Sequence, residues 1–177
     1  LGGEIHWTNN GISIYVAAQN DASKKQIAED MDHALYPVGP VLGGMLIHPF
    51  ERAGEVLRFV RDFNQSAPNA SSVFAALMTT PDGQKVVAIL PCYNGPTADG
   101  EALLKPLREF GPPVADLISP MPYTAQQQLL DEGFPFGLQN YWKSEFLKDL
   151  SDEAIDILVD RFEQVPSPLT AIVLEQF

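Results

Sequence analysis

The sequence has one cysteine, few basic side chains and no long apolar run. Cys92 alone cannot build an internal disulfide framework or a cysteine-rich zinc site. The longest uninterrupted apolar stretches, such as residues 86–90, are far shorter than the roughly 20 residues of a transmembrane helix. The N-terminus has neither the basic start nor the apolar segment of a secretory signal. We therefore expect a soluble, cytoplasmic protein without a membrane partner.

Positive charge is also scarce. The 177 residues include 11 Lys and Arg against 23 Asp and Glu, a formal net charge of −12. Residues 1–88 carry 6 basic and 9 acidic side chains, and residues 89–177 carry 5 and 14. Because a nucleic acid or an anionic membrane requires a basic patch, this balance argues against both as partners. Hydrophobic residues make up 45% of the chain, which is enough for a packed core.

The common catalytic and nucleotide-binding motifs are missing. We find no G-x-S-x-G, H-E-x-x-H, Walker or G-x-G-x-x-G pattern. The glycine-rich residues 39–44 lead into a predicted strand, so they offer no helix N-terminus to a phosphate. His6, His33 and His48 lack a second ligand at helical spacing, and we predict no metal site. We interpret His48 as a residue at a helix start, and Cys92 as a buried thiol whose nucleophilic use would require a neighbouring His.

Short β-like runs alternate with amphipathic helices. Predicted strands cover residues 12–18, 41–47, 72–80, 85–93, 114–118, 141–147 and 169–177. Predicted helices run from Asn20 to Leu35, from Pro49 to Phe63, from Thr97 to Phe110, from Thr124 to Leu130, and onward from the N-cap Ser151. Gly43-Gly44 predicts a bulge or a close backbone contact. Pro81-Asp82-Gly83 predicts a hairpin turn, and Pro106 predicts a kink or a helix break.

This order predicts an α+β fold, with a mainly antiparallel sheet and helices packed on one face. Residues 1–35 form a separate strand–helix element within what we expect to be one compact domain, and residues 36–177 form the main α+β region. The face without helices would expose an apolar patch. We therefore expect a cofactor domain, a ligand or a second subunit, as in a homodimer, to cover that face.

Two places combine side chains that could carry chemistry. Glu175 ends an otherwise apolar strand, where a carboxylate needs a partner or a task, unless the strand simply emerges into water. In the predicted strand 141–147, aromatic side chains lie beside Lys and Ser. One side of this strand would carry Tyr141, Lys143 and Glu145. The other side would carry Trp142, Ser144 and Phe146. Such a strand can hold a flat ligand, or it can be amphipathic with nothing bound.

Several segments together resemble the substrate domain of FAD-linked oxidases. These are berberine-bridge-enzyme-like flavoproteins with a vanillyl-alcohol-oxidase or PCMH-type FAD domain. The similar segments are residues 36–44, 51–53, 111–116, 121–123, 140–144 and 174–177. The similarity runs from about Tyr36 to the last residue.

The resemblance implies an FAD-dependent oxidoreductase acting on a CH–OH or similar carbon of a small-molecule substrate. The open face of the sheet would cover the isoalloxazine ring. Glu175 or Tyr141 would be the catalytic base, since removal of a hydride from such a carbon also requires removal of a proton. Trp142, Lys143 and Gln176 would bind the substrate.

The sequence also departs from that family. The FAD-binding domain with its pyrophosphate loop is absent, and residues 1–35 do not resemble the end of that domain. We therefore expect a piece of a longer protein that binds FAD weakly by itself and is inactive as an oxidase. The FAD-binding domain or a second subunit would cover the open face. The alternative is a non-catalytic α+β module that binds a small molecule or dimerises without flavin.

Overall fold

The computed structural model describes residues 3–8, 11–16, 39–134, 137–138 and 141–175. The chain divides into two compact units, residues 1–37 and 38–177. In the first unit, β1 (Gly3–Thr8) and β2 (Gly11–Val16) form an antiparallel pair. The strand predicted from Ile12 is confirmed, whereas β1 is not predicted by the sequence pattern. The helix predicted from Asn20 to Leu35 lies outside the described residues.

The second unit is built on an antiparallel sheet of seven short strands. They are β3 (Val41–Gly43), β4 (Leu46–Pro49), β5 (Ser71–Thr79), β6 (Lys85–Tyr93), β7 (Ala115–Asp116), β8 (Ser119–Met121) and β9 (Ile172–Leu174). β5 and β6 pair along their full length, and β9 pairs with the other edge of β5. The free edge of β6 pairs with β3 and β4, which in turn pair with β8 and β7.

β3 and β4 are two halves of one strand, because both ladders keep the same register on either side of Gly44 and Met45. Gly44 has a φ of +133°, and a Cβ built there would lie 2.2 Å from the carbonyl oxygen of Leu117. Only glycine fits so close to a neighbouring backbone in this conformation. The predicted close contact at Gly43-Gly44 is therefore confirmed.

The predicted hairpin is confirmed as well. Gly83 lies in the turn between β5 and β6 with a φ of +87°. The Thr80 N–H donates to the Gln84 carbonyl (2.8 Å), which closes the turn. Glycine permits this positive φ without steric cost.

Three long helices pack on one face of the sheet. The helical elements are a 3-10 turn (Phe50–Arg52), α1 (Ala53–Asn64), α2 (Thr97–Glu109), α3 (Tyr123–Gln127), a second 3-10 turn (Asp131–Gly133) and α4 (Asp152–Glu163). α1, α2 and α4 bury side chains against the sheet in one cluster with members such as Leu57, Leu104 and Phe162. α2 continues through Pro106 to Glu109, so the predicted break is wrong, and a kink at Pro106 stays a prediction.

α4 shows how local sequence positions a helix. The Ala154 N–H donates to the Ser151 hydroxyl oxygen (3.2 Å), which is the predicted N-cap. At the other end of α4, Lys85 donates to the Glu163 carbonyl, where the helix dipole favours a cation. Sheet and helices together confirm the α+β fold class with helices on one face.

The opposite face of the sheet is partly covered by the chain itself. Met45, Ala76, Ala88 and Leu90 are buried there, and Leu130 packs against them. The Gln126 side chain donates to the Pro91 carbonyl (3.2 Å) and fills the space beside Gly43. The expectation that this face is left wholly uncovered by the chain is therefore wrong. Four apolar side chains of this face remain only partly buried: Ile47, Phe74, Met78 and Val173.

Other predicted strands are shorter than expected. Residues 141–147 have no regular secondary structure, so the strand predicted there is wrong. The predicted strand 114–118 is confirmed only at β7 (Ala115–Asp116), and β8 (Ser119–Met121) follows outside the predicted range. Within the described residues the last strand is limited to Ile172–Leu174. In the described ranges, no helix combines the length and apolar content needed to cross a membrane.

Candidate functional site

A cleft of about 460 Å³ contains two of the predicted site residues, Tyr141 and Trp142. Its lining residues are Phe134, Leu138, Tyr141, Trp142, Ser167, Leu169, Thr170 and Ala171. The rings of Phe134 and Trp142 lie 4.9 Å apart with an interplanar angle of 46°. Tyr141 is 88% exposed and Trp142 66% exposed, so the cleft is shallow and its aromatic wall is open to solvent.

The second wall of the cleft is formed by the turn that leads into β9. The Thr170 N–H donates to the Ser167 carbonyl (3.1 Å), and the Leu169 N–H donates to the Ser167 hydroxyl oxygen (3.2 Å). The Ser167 hydroxyl therefore accepts from the backbone, and its own proton is available to a ligand. The cleft lies at the β9 edge of the sheet.

Glu175 lies at the opposite end of β9. In the β9–β5 register Val173 is opposite Ala76, so Glu175 continues toward Phe74. Because side chains alternate along extended chain, we expect Glu175 to share the face of Val173. From Ala171 to Glu175 the chain extends about 13 Å at the rise of a strand. The structure thus does not bring Glu175 together with Tyr141 and Trp142.

Two predicted site residues remain, Lys143 and Gln176. Lys143 is exposed in the irregular segment that follows Trp142. Gln176 lies outside the described residues. The described structure places Tyr141 and Trp142 at one cleft, whereas strand alternation leads us to expect Glu175 on the sheet face opposite the three long helices.

Cys92 lies in β6 opposite Gly43 and is partly buried. Burial raises the pKa of its thiol, which favours the protonated and unreactive form. This agrees with the interpretation of Cys92 as an inert thiol.

His48 is a buried core residue that sequence reasoning placed differently. It lies in β4, just before the 3-10 turn, and is fully buried. Neither ring nitrogen has a hydrogen-bond partner among the described residues. Its ring meets Phe110 edge-on at 6.2 Å. Burial, and then the nearby Arg52 charge, lower the pKa of His48, so the neutral ring is favoured.

The N-termini of the three long helices indicate whether these helices could bind the pyrophosphate of a dinucleotide. Each of the three long helices carries an acidic side chain in its first turn: Glu55 in α1, Asp99 in α2, and Asp152 and Glu153 in α4. A carboxylate repels a phosphate at the position where the helix dipole would attract it. None of these helices therefore suits a pyrophosphate. The partly exposed apolar side chains Ile47, Phe74 and Met78, by contrast, suit an uncharged flat ring.

These features define an α+β domain with an apolar sheet face and an aromatic cleft of a size that suits a small molecule. The chain is 30% identical over 162 residues to a protein of Dictyostelium discoideum named FAD-linked oxidoreductase. The match covers 91% of this chain and 35% of that protein, so the chain spans about a third of the relative's length. No protein-family model matches the chain.

Proposed function

We propose that the chain is the substrate-binding part of an FAD-dependent oxidoreductase that oxidises a small organic substrate. The observation that carries this proposal is the similarity to a protein named FAD-linked oxidoreductase along 91% of the chain. The helix-backed antiparallel sheet supports it, because such a sheet presents one face to a ligand. We further propose that the relationship is to the berberine-bridge-enzyme-like branch with a PCMH-type FAD domain, and that the protein is cytoplasmic.

The residues present fit one part of FAD. Ile47, Phe74, Met78 and Val173 would contact the isoalloxazine ring. When bound, FAD supplies the acceptor for a hydride from the substrate carbon. The acidic helix starts of this chain do not suit the pyrophosphate. We therefore propose that an FAD-binding domain or a second subunit holds the rest of the cofactor against the face opposite the three long helices.

Glu175 is our candidate for the catalytic base. It follows β9 next to Phe74, beside the apolar side chains proposed for the ring. A carboxylate there can accept the hydroxyl proton of a substrate. Tyr141 and Trp142 line the cleft together with Ala171, which is about 13 Å from Glu175 along β9, and they are proposed to bind substrate rather than to share the proton transfer. Lys143 is exposed beside them and is proposed to contact substrate as well.

A titration of the chain with lumiflavin, the ring without ribityl phosphate, tests the cofactor proposal. We expect weak binding, seen as a change in flavin absorbance, with FAD binding no more than about threefold tighter because the N-termini of the three long helices do not suit a phosphate. Phe74→Asp should abolish the change. The matched control Ile157→Asp, on the outer side of α4 where Ile157 is 53% exposed, should preserve it.

The outcomes separate the two hypotheses. A chain indifferent to lumiflavin would overturn the proposed flavin contact and favour the non-catalytic α+β module. FAD binding that is much tighter than lumiflavin binding would contradict the assignment of the pyrophosphate to another domain. The chain alone should consume no oxygen with alcohol or sugar substrates; consumption that Glu175→Gln abolishes would show that the chain is sufficient.

A further inference from the structure

The chemistry of the cleft at the β9 edge points to a particular kind of ligand. One wall carries the aromatic side chains of Phe134, Tyr141 and Trp142, and the other carries the hydroxyls of Ser167 and Thr170. Among the described residues that line it, none is charged. Aromatic faces opposite hydroxyl groups can stack on a ring and bond its polar substituents.

Charge argues against an ionic ligand. An anion would find no basic side chain among the described lining residues, and it would approach a chain of net charge −12. A cation would find no carboxylate there, and stacking of a cation on an exposed aromatic ring is weak. An uncharged ligand requires neither a basic nor an acidic partner in the cleft.

The hydrogen-bond inventory adds a directional requirement. The Ser167 oxygen already accepts the Leu169 N–H (3.2 Å), so this hydroxyl keeps one donor and one acceptor position for a ligand. The ligand should therefore offer, close to its ring, a polar group that can both accept and donate a hydrogen bond. A ring hydroxyl or a hydroxymethyl group meets this requirement and keeps the ligand neutral.

We infer that this cleft is a binding site for an uncharged, hydroxyl-bearing ring compound. The next assignment rests on the proposed function. Under that function, the ring is the end of the substrate remote from the carbon that reacts near Glu175. Binding itself does not depend on flavin or on turnover. It can therefore be measured on the chain alone, and the inference can fail while the proposed function stands.

Saturation-transfer NMR on the full chain tests the inference with four probes. Benzyl alcohol and methyl glucoside are neutral rings that distinguish an aromatic from a sugar-like ligand, and either one binding supports the site. Benzoate and benzylammonium carry one charge each. We expect at least one neutral probe to give a signal about tenfold stronger than both ions, since no described lining residue pairs with a charge.

Variants of exposed aromatic residues locate the signal. Trp142→Ala should reduce it about fivefold or more through lost stacking, and Trp142→Phe should retain most of it. Phe146→Ala is the matched control, because Phe146 lies in the same irregular segment, is 86% exposed and does not line the cleft. Thr170→Val, of similar shape, should weaken the signal only if the hydroxyl is used. Equal loss in Trp142→Ala and Phe146→Ala, undiminished binding in Trp142→Ala, or charged probes binding as well as neutral ones would overturn the inference.

Discussion

At the scale of single residues, the sheet depends on a glycine that has no substitute. Gly44 combines a φ of +133° with a backbone approach so close that an added Cβ would lie 2.2 Å from the Leu117 oxygen. A side chain in such a conformation costs about 1–3 kcal/mol before any clash is counted. Gly44→Ala should therefore lower the free energy of unfolding by about 3 kcal/mol or more, as measured by urea denaturation.

The control for this prediction is Gly39→Ala. A Cβ at Gly39 meets no atom within 4 Å, and no positive φ is involved. We expect a change within about 0.5 kcal/mol. If both variants were equally stable, the two halves of the interrupted strand could shift apart without cost, and the close approach at Gly44 would not constrain the sheet.

His48 should make the stability of the protein depend on pH. Burial lowers its pKa in the folded state below the ordinary value of 6.5, whereas the unfolded chain keeps that value. The stabilisation is therefore complete above pH 6.5 and is lost as the pH falls from there toward the folded pKa, by at most about 1.4 kcal/mol per pH unit.

Urea unfolding at pH 7.5 and pH 5.5 measures this dependence. We expect the wild-type protein to lose more stability than His48→Leu, because leucine has no proton to bind. Asp152, whose pKa is lowered by the hydrogen bond from Arg61, titrates below its ordinary value of 3.8 and thus outside this range. Parallel losses in both proteins would show that His48 is not the group responsible.

At the scale of elements, α4 offers two isoleucines with opposite environments. Ile155 is fully buried against the core that α1 shares, and Ile157 is 53% exposed. Ile155→Ala should cost about 3 kcal/mol of unfolding free energy, because it removes buried methyl groups and leaves a cavity. Ile157→Ala should change stability by less than about 0.5 kcal/mol. Similar losses would mean that α4 does not pack on the sheet through Ile155.

The elements predicted correctly from the sequence are those that a few neighbouring residues determine. The turn at Pro81-Asp82-Gly83 sets the β5–β6 hairpin, and Ser151 starts α4 through its own hydroxyl. Residues 141–147 show the limit of this reasoning. Their alternating pattern suits a strand, but a strand also requires a neighbouring backbone to pair with, and periodicity does not reveal that neighbour.

At the scale of the whole molecule, the candidate site depends on distances that the sequence does not contain. Residue type alone identifies Glu175 and Trp142 as candidates. Only the β9–β5 register and the turn at Ser167 show that they lie at opposite ends of a short strand. The cover over the face opposite the three long helices also could not be predicted from the sequence, because Gln126 of α3 and Leu130 reach it through a tertiary contact between distant segments.

The acidic excess leads to a prediction for the entire chain. Salt screens two opposing interactions: repulsion within a molecule of net charge −12, and attraction in exposed ion pairs such as Arg58–Asp156 (2.6 Å) and Arg61–Asp152 (2.7 Å). Exposed pairs contribute little because water already screens them, so the repulsion should dominate. Raising NaCl from about 20 to about 200 mM should therefore raise the Tm by about 2–4 °C, which corresponds to roughly 1 kcal/mol for a chain of this size.

Two variants separate these interactions in a thermal melt. The double variant Asp131→Asn/Glu132→Gln removes two exposed acidic charges and should reduce the salt effect, because less repulsion remains to be screened. Arg61→Gln removes an attraction between α1 and α4 and should enlarge the salt effect. A Tm that falls with salt would mean that the ion pairs between α1 and α4 outweigh the repulsion. The Tm of the double variant, which leaves those pairs intact but carries less repulsion, would then fall more steeply with salt than that of the wild-type protein.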